Sequence, residues 1–215
     1  TRRFPVFAIV ITSFLIHYNM IIKRKVRIYL GKITTWVAHI SMRLNGVNYG
    51  NKVVVRGYIH IQNAGEIFIG DNVVINSSRW ANPMSCASGT NLQIIEGGVL
   101  EIGDKSGLSN ASITCYEKIT IGKNVLIGAG TQIFDTDFHP IISKYRFGDE
   151  KNNDVVSKKA VVIEDGVFIG SRAIILKGSH IGKNSIIGAG AVVSGYIPPN
   201  QIWAGVPAKY VGTTE

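Results

Sequence analysis

The stretch VIEDGVFIGSRAIILKGSHIGKNSIIGAGAVV, residues 162–193, repeats every six residues. Large apolar residues recur at each step, and a small or β-branched residue stands four positions after each of the first five: Ile163, Ile169, Ile175, Ile181, Ile187 and Val193, with Val167, Ala173, Ser179, Ser185 and Ala191. A period of six fits neither an α-helix nor the alternation of an ordinary strand. It is typical of a chain that turns a corner every six residues, and it predicts a parallel β-helix.

The repeat extends backwards from this stretch with interruptions. It begins near Val53 and passes through less regular steps at Ile59, Ile69, Ile75, Ile102, Leu108, Thr114, Ile121, Ile127 and Ile133. Residues 77–98 and 139–160 break the period, and we expect both to leave the coil, the second as a loop at one corner. The proline-rich end, residues 196–211, stops the coil. The predicted organisation is an N-terminal segment, 1–48, and a β-helix domain, 49–215.

The N-terminal segment begins with an apolar run, FPVFAIVITSFLIHYNMII (residues 4–22), followed by Lys23, Arg24, Lys25 and Arg27. Three interpretations stay open: a membrane anchor, a helix packed on the β-helix or on another subunit, and a cleaved signal peptide. The first interpretation predicts binding to a membrane surface through residues 4–27. The following residues, 26–44, predict an amphipathic helix with an apolar stripe: Ile28, Ile33, Val37, Ile40 and Leu44.

Composition and charge restrict the class of protein and the kind of partner it can bind. The 215 residues are 46% hydrophobic and 17% charged, as in a globular protein, and include 24 glycines. The net charge of +9 favours an anionic partner. No aromatic and basic nucleic-acid motif is present, so nucleic acid is not expected. Cys86 and Cys115 lack metal or redox spacing, which favours a reducing compartment and a cytoplasmic location, at the inner face of the membrane if the N-terminal run binds lipid.

Three motifs carry a family resemblance: DTDFHP at residues 135–140, IGAGAVV at 187–193 and AGVPAK at 204–209. With the repeat, they resemble the hexapeptide-repeat acyltransferases, closest to the maltose, galactoside and serine acetyltransferases and the O-antigen and capsule O-acetyltransferases. The resemblance implies an all-β fold, a left-handed parallel β-helix with a loop after the catalytic histidine. It also implies acetyl-CoA as co-substrate, no metal, and a homotrimer with its active site between adjacent subunits. Flat outer walls with apolar residues such as Val125, Phe168 and Ile174 suit such pairing.

His139 matches the catalytic histidine of that family. An imidazole titrating near neutral pH can take a proton from a hydroxyl or amine as it attacks a thioester. The alternative is a histidine that caps the turn before Pro140. Asp135 and Asp137 are candidates to orient the imidazole, and Asp137 is favoured because residues 137 and 139 of an extended chain point to the same side. An ordinary corner aspartate is the alternative for both.

Substrate-binding residues follow from the same resemblance. Asn110 is similar to an acceptor-binding asparagine, or else is a corner residue with a left-handed backbone. The backbone N–H of Ser171 matches the oxyanion donor. The small residues Gly170, Gly188 and Ala189 would leave room for the pantetheine arm, unless they only make tight corners. For the nucleotide end of CoA, the candidates are Arg172 and Lys209 toward phosphate and Trp203 toward adenine, with packing at the end of the coil as the alternative for Trp203.

These features predict an acetyl-CoA-dependent O-acetyltransferase acting on a sugar of a surface glycan or its precursor, by direct transfer with a histidine base. The alternatives are an N-acetyltransferase on an amino-sugar nucleotide and a serine or antibiotic acetyltransferase. A zinc-dependent carbonic anhydrase on the same coil would need three converging histidines. His60, His139 and His180, the only histidines in the repeat, are about 40 or more residues apart.

Overall fold

A computed structural model describes residues 6–84, 89–147, 152 and 155–214. The chain begins with helix α1 (Val6–Leu44) and then forms strands that run through three sheets in turn. Sheet A contains β1 (Asn48–Tyr49), β4 (Glu66–Ile69), β7 (Val99–Ile102), β10 (Lys118–Ile121), β13 (Val161–Ile163), β16 (His180–Ile181) and β19 (Tyr196–Ile197). Sheet B contains β2 (Val54–Gly57), β5 (Val74–Ser77), β8 (Gly107–Ser109), β11 (Leu126–Ile127), β14 (Phe168–Ile169), β17 (Ile186–Ile187), β20 (Gln201–Ala204) and β21 (Lys209–Thr213). Sheet C contains β3 (Ile59–Asn63), β6 (Thr90–Ile94), β9 (Ser112–Cys115), β12 (Gln132–Phe134), β15 (Ile174–Ile175) and β18 (Val192–Val193).

Every third strand returns to the same sheet, so the three sheets form the walls of a triangular prism. Neighbouring strands within a sheet are parallel, except β20 and β21, which are antiparallel. Ile169 pairs with Ile187, and Ile175 pairs with Val193, 18 residues on in each case. Three six-residue steps therefore make one coil, as the period predicts. The predicted boundary between residues 48 and 49 falls within β1.

The recurring apolar residues point into the prism. Ile163, Ile169, Ile175, Ile181 and Ile187 are all fully buried. Each such side chain contributes about 1.5–3 kcal/mol relative to an exposed position. The stack formed by these side chains is the core of the domain.

Two inward positions differ from the prediction. Thr114 is half-buried, and Ile113 pairs with Ile133 in the stack. The step from Leu108 to Ile113 has five residues, one fewer than the equivalent step from Ile127 to Ile133, and Asn110 at this corner has φ 42°, so the inward register shifts by one. Val125 was predicted on an outer wall, but it is fully buried, and Leu126 beside it points outward. The reason is that each step buries two residues of a corner and strand, not one.

Helix α1 packs its polar and small side chains on the open edge of sheet B. Thr34 and Thr35 donate hydroxyl hydrogen bonds to Val55 O over 3.0 and 2.8 Å, and Val55 N donates to Thr35 Oγ1 over 3.1 Å. Ala38 and Met42 are the buried apolar residues of this face. The helix therefore covers β2, whose backbone groups would otherwise lack partners.

The predicted stripe on this helix faces the other way. Ile28, Ile33, Val37, Ile40 and Leu44 are between 40% and 81% exposed. The predicted helix is confirmed, and in the single chain its apolar stripe is exposed instead of packed on the prism. A helical period shows that apolar residues share a side, whereas the partner of that side depends on the rest of the fold.

Two insertions leave the prism. The first lies between β5 and β6, so part of the predicted 77–98 interruption, Thr90–Ile94, is a strand of sheet C. The second lies between β12 and β13 and carries the short helix α2 (Ser143–Arg146). No helix in the described part of the chain combines the length and apolarity needed to cross a bilayer. Residues 4 and 5 of the predicted anchor, the side chains of residues 6–21, and Cys86 lie outside the described residues.

Candidate active site

The second insertion leaves the corner between sheets C and A through a short neck of paired chain. Asp137 N donates to Ser157 O over 3.1 Å, and Lys159 N donates to Asp135 O over 2.9 Å. Thr136 and Lys158 form an antiparallel bridge between them. The neck therefore holds the outgoing residues 135–137 against the returning residues 157–159, and His139 comes directly after it.

The neck is anchored in the prism by the carboxylate of Asp135, which is fully buried. Its Oδ1 accepts a hydrogen bond from Tyr116 N, and its Oδ2 accepts one from Glu117 N, both over 2.8 Å. Cys115 Sγ lies 3.5 Å from the same Oδ2. Burial, and next the charge of Asp135, raise the pKa of Cys115 to about 12, so this thiol stays protonated.

Asp137 lies in an ion pair at the base of the loop. Its Oδ2 is 2.8 Å from Lys177 Nζ, and Lys177 also donates to Ser157 Oγ over 2.6 Å. Lys177 belongs to the next coil, at the same corner of the prism. It therefore ties the outgoing and returning sides of the neck to the coil beneath them.

The turn before the histidine is not extended. Phe138 has φ +61°, a left-handed conformation that is rare for a bulky residue, and His139 N donates to Asp137 O over 2.7 Å. The Phe138 ring packs 5.2 Å from Phe134 and 6.2 Å from Tyr116, measured between centroids. Aromatic packing can hold such a strained turn. The premise that Asp137 and His139 share one side of an extended chain is wrong, because the left-handed residue lies between them.

His139 is exposed, and within the described residues its ring makes no hydrogen bond. Both carboxylates proposed to orient it are engaged elsewhere, Asp135 with backbone N–H groups and Asp137 with Lys177. Sequence reasoning missed Lys177. Its position, two residues past the six-residue step at Ile175, gives no sign that it reaches the loop.

The other predicted residues gather at a different corner, between sheets B and C. Backbone hydrogen bonds stack this corner coil on coil, from Asn110 through Gly130 and Arg172 to Gly190. Lys209 lies opposite Ala204 in the last coil of the same corner. The predicted residues of this column are Asn110, Gly170, Ser171, Arg172, Gly188, Ala189 and Lys209.

Two glycines of this column are required by coil stacking itself. A Cβ on Gly170 would lie 2.5 Å from Ala189 N, and one on Gly188 would lie 2.8 Å from Ala204 Cβ. The tight-corner alternative therefore accounts for both glycines. Arg172 and Ala189 are exposed beside them, and Ser171 is half-buried. Within the described residues Ser171 N donates no hydrogen bond, so this N–H is available to an oxyanion.

Backbone and core contacts hold Asn110 and Trp203, the two remaining candidates. Asn110 is buried at the corner, with φ 42° and its N–H donating to Asn76 O over 2.9 Å. Trp203 pairs with the inward residue Ile187 and packs against the core, while its Nε1 donates to Gln201 Oε1 over 2.8 Å. These contacts favour the alternative for Trp203, packing at the end of the coil.

The two groups of candidates lie at opposite edges of sheet C. The corner column precedes its strands, and the neck follows them. From Gly130 to Asp135 the chain advances five residues, or about 16 Å at the rise of a strand. One chain thus carries two separate parts of the predicted site. No cluster of three metal-ligating His, Cys, Asp or Glu side chains occurs among the residues that the structure describes.

Comparisons with known proteins agree with this architecture. The family described as bacterial transferase hexapeptide (six repeats) matches residues 160–195, and the hexapeptide repeat of succinyl-transferase matches residues 118–133. The lipopolysaccharide biosynthesis O-acetyl transferase WbbJ of Escherichia coli is 30% identical over 181 residues, covering 78% of this chain and 82% of that protein. The chain therefore belongs to the hexapeptide-repeat family of acetyltransferases, as the motifs indicate.

Two further matches bear on the family and the fold. The galactoside O-acetyltransferase of Escherichia coli is 39% identical over 102 residues, which cover 47% of this chain and 47% of that protein. The chain thus spans about half the length of that relative. A structure of AntD, an N-acyltransferase from Bacillus cereus in complex with dTDP and 3-hydroxybutyryl-CoA, superposes with a TM-score of 0.66 at 20% identity, over 82% of this chain and 88% of that one. The fold is the left-handed parallel β-helix predicted from the motifs.

Proposed function

We propose that this chain transfers an acetyl group from acetyl-CoA to a hydroxyl of a sugar, in a surface glycan or its precursor. The hydroxyl oxygen attacks the thioester carbonyl while His139 Nε2 or Nδ1 takes its proton. The tetrahedral intermediate then collapses, the C–S bond breaks, and the imidazolium returns the proton to the CoA thiolate. The transfer is direct, with no acyl-enzyme.

The observation that carries this proposal is the presentation of His139. Its side chain is exposed just past the neck. The neck is tied to the prism by the buried Asp135 and by the ion pair of Asp137 with Lys177. Phe138, with its left-handed backbone, fixes the turn before the histidine. Such a backbone outlier is costly and persists where surrounding contacts require it, often at functional sites. A base also needs an imidazole with an available nitrogen, and the ring of His139 makes no hydrogen bond within the described residues.

The acetyl donor belongs at the column of small residues between sheets B and C. The N–H of Ser171 serves as oxyanion donor, with Ala189 leaving room for the pantetheine arm. Arg172 and Lys209, both exposed, are the cations for the phosphates of CoA. Asn110 at the same corner is the proposed contact to the acceptor hydroxyl.

Because His139 and this column lie at opposite edges of sheet C, we infer that one active site is assembled from two copies of the chain. The proposed assembly is a homotrimer. Support comes from one row of outward positions across sheet B, from β2 to β20, which contains only apolar residues and a glycine: Val54, Val74, Gly107, Leu126, Phe168, Ile186 and Ile202. Leu126 is 55% exposed and Phe168 is 45% exposed, which favours a covered wall.

Transfer to oxygen is preferred over transfer to nitrogen because WbbJ and the galactoside enzyme are both named as O-acetyltransferases. A lipid-linked glycan precursor would place the enzyme in the cytoplasm at the inner face of the membrane, with residues 4–27 as the proposed contact. The concentration of positive charge near the N-terminus supports that location, since ten of the 23 basic residues and none of the 14 acidic residues lie in the first 65 positions.

The test is thiol release from acetyl-CoA by the wild type and His139→Ala, with hydroxyl sugars, amino-sugar nucleotides and serine as acceptors. We expect release with a hydroxyl sugar and its loss in the variant. Release with an amino-sugar nucleotide alone would assign N-acetylation instead. Mixing His139→Ala with Ser171→Pro, which lacks the amide, tests the shared site: restored activity in mixed trimers requires each copy to supply one part.

A further inference from the structure

The outward face of α1 carries a continuous apolar stripe, which shares Ile33, Ile40 and Leu44 with the stripe predicted from the sequence and is the one meant from here on. Its residues recur at intervals of three and four, which confines them to an arc of about 80° on the helix: Val26, Tyr29, Ile33, Trp36, Ile40 and Leu44. All six are exposed, with Tyr29 at 69% and Trp36 at 66%. The stripe lies opposite the face of Ala38 and Met42 that packs on the prism, so the fold of the single chain leaves it uncovered.

Basic side chains border one edge of this stripe. Lys25, Lys32 and Arg43 are exposed and lie about 60–80° from its middle on the helix. Cations at such positions can place their charged ends in the headgroup region while their methylenes cover apolar surface. Tyr and Trp are also favoured where an apolar layer meets water.

Charge decides between a lipid surface and a second copy of the chain as the occupant. Helix α1 contains no acidic residue, so two copies meeting along this stripe would bring like charges together without a partner. An anionic surface complements every charge on the helix. The remaining 150 residues, with 13 basic and 14 acidic, are close to neutral, so the positive field is concentrated in and next to α1.

We propose that the face of α1 from Val26 to Leu44 lies in the plane of an anionic membrane surface, with the stripe in the interface and the prism in water. This site is distinct from the apolar run of residues 4–22, and it holds the first coil beside the bilayer, because α1 packs on β2 and β3. The proposal makes no use of the acetyltransfer activity, so its tests are independent of the proposed function.

The first test is sedimentation of the full chain with vesicles of phosphatidylcholine alone or mixed with phosphatidylglycerol. We expect binding to the anionic vesicles that weakens as salt is raised. The triple variant Lys25→Gln/Lys32→Gln/Arg43→Gln should lower the partition coefficient about 100-fold. The matched control, Lys105→Gln/Lys123→Gln/Lys183→Gln, removes three exposed lysines from prism corners beyond the first coil and should bind like the wild type.

The stripe is tested by Tyr29→Ser/Ile33→Ser/Trp36→Ser. The control for an exposed aromatic on the prism is Tyr196→Ser, at 59% exposure and far from the first coil along the prism. We expect the stripe variant to lose binding and to keep the far-ultraviolet circular dichroism of the wild type. Equal binding by the stripe variant would overturn the proposal. So would loss of oligomerisation in that variant with no vesicle binding by the wild type, since the stripe would then cover a second copy.

The depth of Trp36 in the bilayer distinguishes a helix that lies in the membrane plane from one that crosses the membrane. The chain has three tryptophans, so Trp80→Phe/Trp203→Phe leaves Trp36 as the only reporter. We expect a blue shift of its emission on binding and stronger quenching by lipids brominated near the headgroup than near the chain end. Quenching strongest at the bilayer centre, or no quenching at all, would contradict the in-plane geometry.

Discussion

The coils from Val161 to Ile197 and the loop neck around Asp135 to Lys159 sit side by side and are built differently. In the coils, position is set by a backbone period, and the inward side chains need only be apolar and of suitable size. In the neck, each residue has a specific partner: Asp135 has two backbone N–H groups, and Asp137 has Lys177. The prism supplies rigidity, whereas the loop that carries the proposed base, His139, is held by a few polar contacts.

The largest expected effect separates activity from stability. His139→Ala should lower kcat/KM by about 10²–10⁴, the usual contribution of a general base, while the melting temperature stays unchanged because the side chain is exposed. Steady-state thiol release and differential scanning calorimetry measure the two quantities. Wild-type activity in this variant would remove His139 from the mechanism, and a lowered melting temperature would show that its role is structural.

The second prediction concerns the thiol beneath the neck. Burial, and next the charge of Asp135, raise the pKa of Cys115 to about 12, so at pH 8 its thiolate fraction is on the order of 10³ below that of a free cysteine. In a Cys86→Ser background, labelling of the native protein by iodoacetamide should be slower than labelling in guanidinium by at least that factor. Asp135→Asn should accelerate native labelling, because it removes the charge that opposes the thiolate. Equal native and denatured rates would contradict the buried environment.

The third prediction addresses the coil. Ile175→Ala should lower the free energy of unfolding by about 2–5 kcal/mol, and the conservative Ile175→Val by about 0.5–1.5 kcal/mol, because the side chain is fully buried in the stack. Guanidinium denaturation measures both variants. The ratio of kcat/KM to the wild type should remain near one under conditions where each variant is folded. A loss of activity without a loss of stability would mean that the stack also positions the loop.

The coil could be predicted from sequence because its period depends on residue class alone. The corrections at Ile113 and Leu126 are shifts of one residue, caused by a corner that is one residue short and by the burial of two positions per step. The face of α1 could not be predicted, because Thr34 and Thr35 bind an open strand edge that exists only once the sheets form. The assignment of His139 as the base stays a prediction from the motif, while the left-handed Phe138 and the ion pair of Asp137 with Lys177 depend on tertiary contacts.

The fourth prediction tests the anchor of the neck. Asp135→Asn should lower the free energy of unfolding by about 1–3 kcal/mol, because one buried N–H of Tyr116 or Glu117 loses its acceptor. Asp165→Asn is the matched control, since within the described residues the carboxylate of Asp165 accepts a single hydrogen bond, from Lys123 N over 2.7 Å, at an exposed corner. We expect the control to cost about 0.5–1.5 kcal/mol and to keep full activity. A larger loss in the control would show that the buried carboxylate contributes nothing special to the neck.

The smallest effect is expected from Lys177→Met, which removes the ion pair with Asp137 and the hydrogen bond to Ser157 while keeping the length of the side chain. Both partners are partly exposed, so the pair contributes about 0.2–1 kcal/mol, and kcat should fall by at most about fivefold with KM for acetyl-CoA unchanged. Because an exposed pair is screened, the difference between variant and wild type should shrink at high salt.

The control is Lys183→Met, which changes an exposed lysine at the corner between sheets A and B and should match the wild type in both kcat and KM. A rise in KM alone would place Lys177 in donor binding, and a loss near that of His139→Ala would make it part of the catalytic machinery instead of a positioning residue.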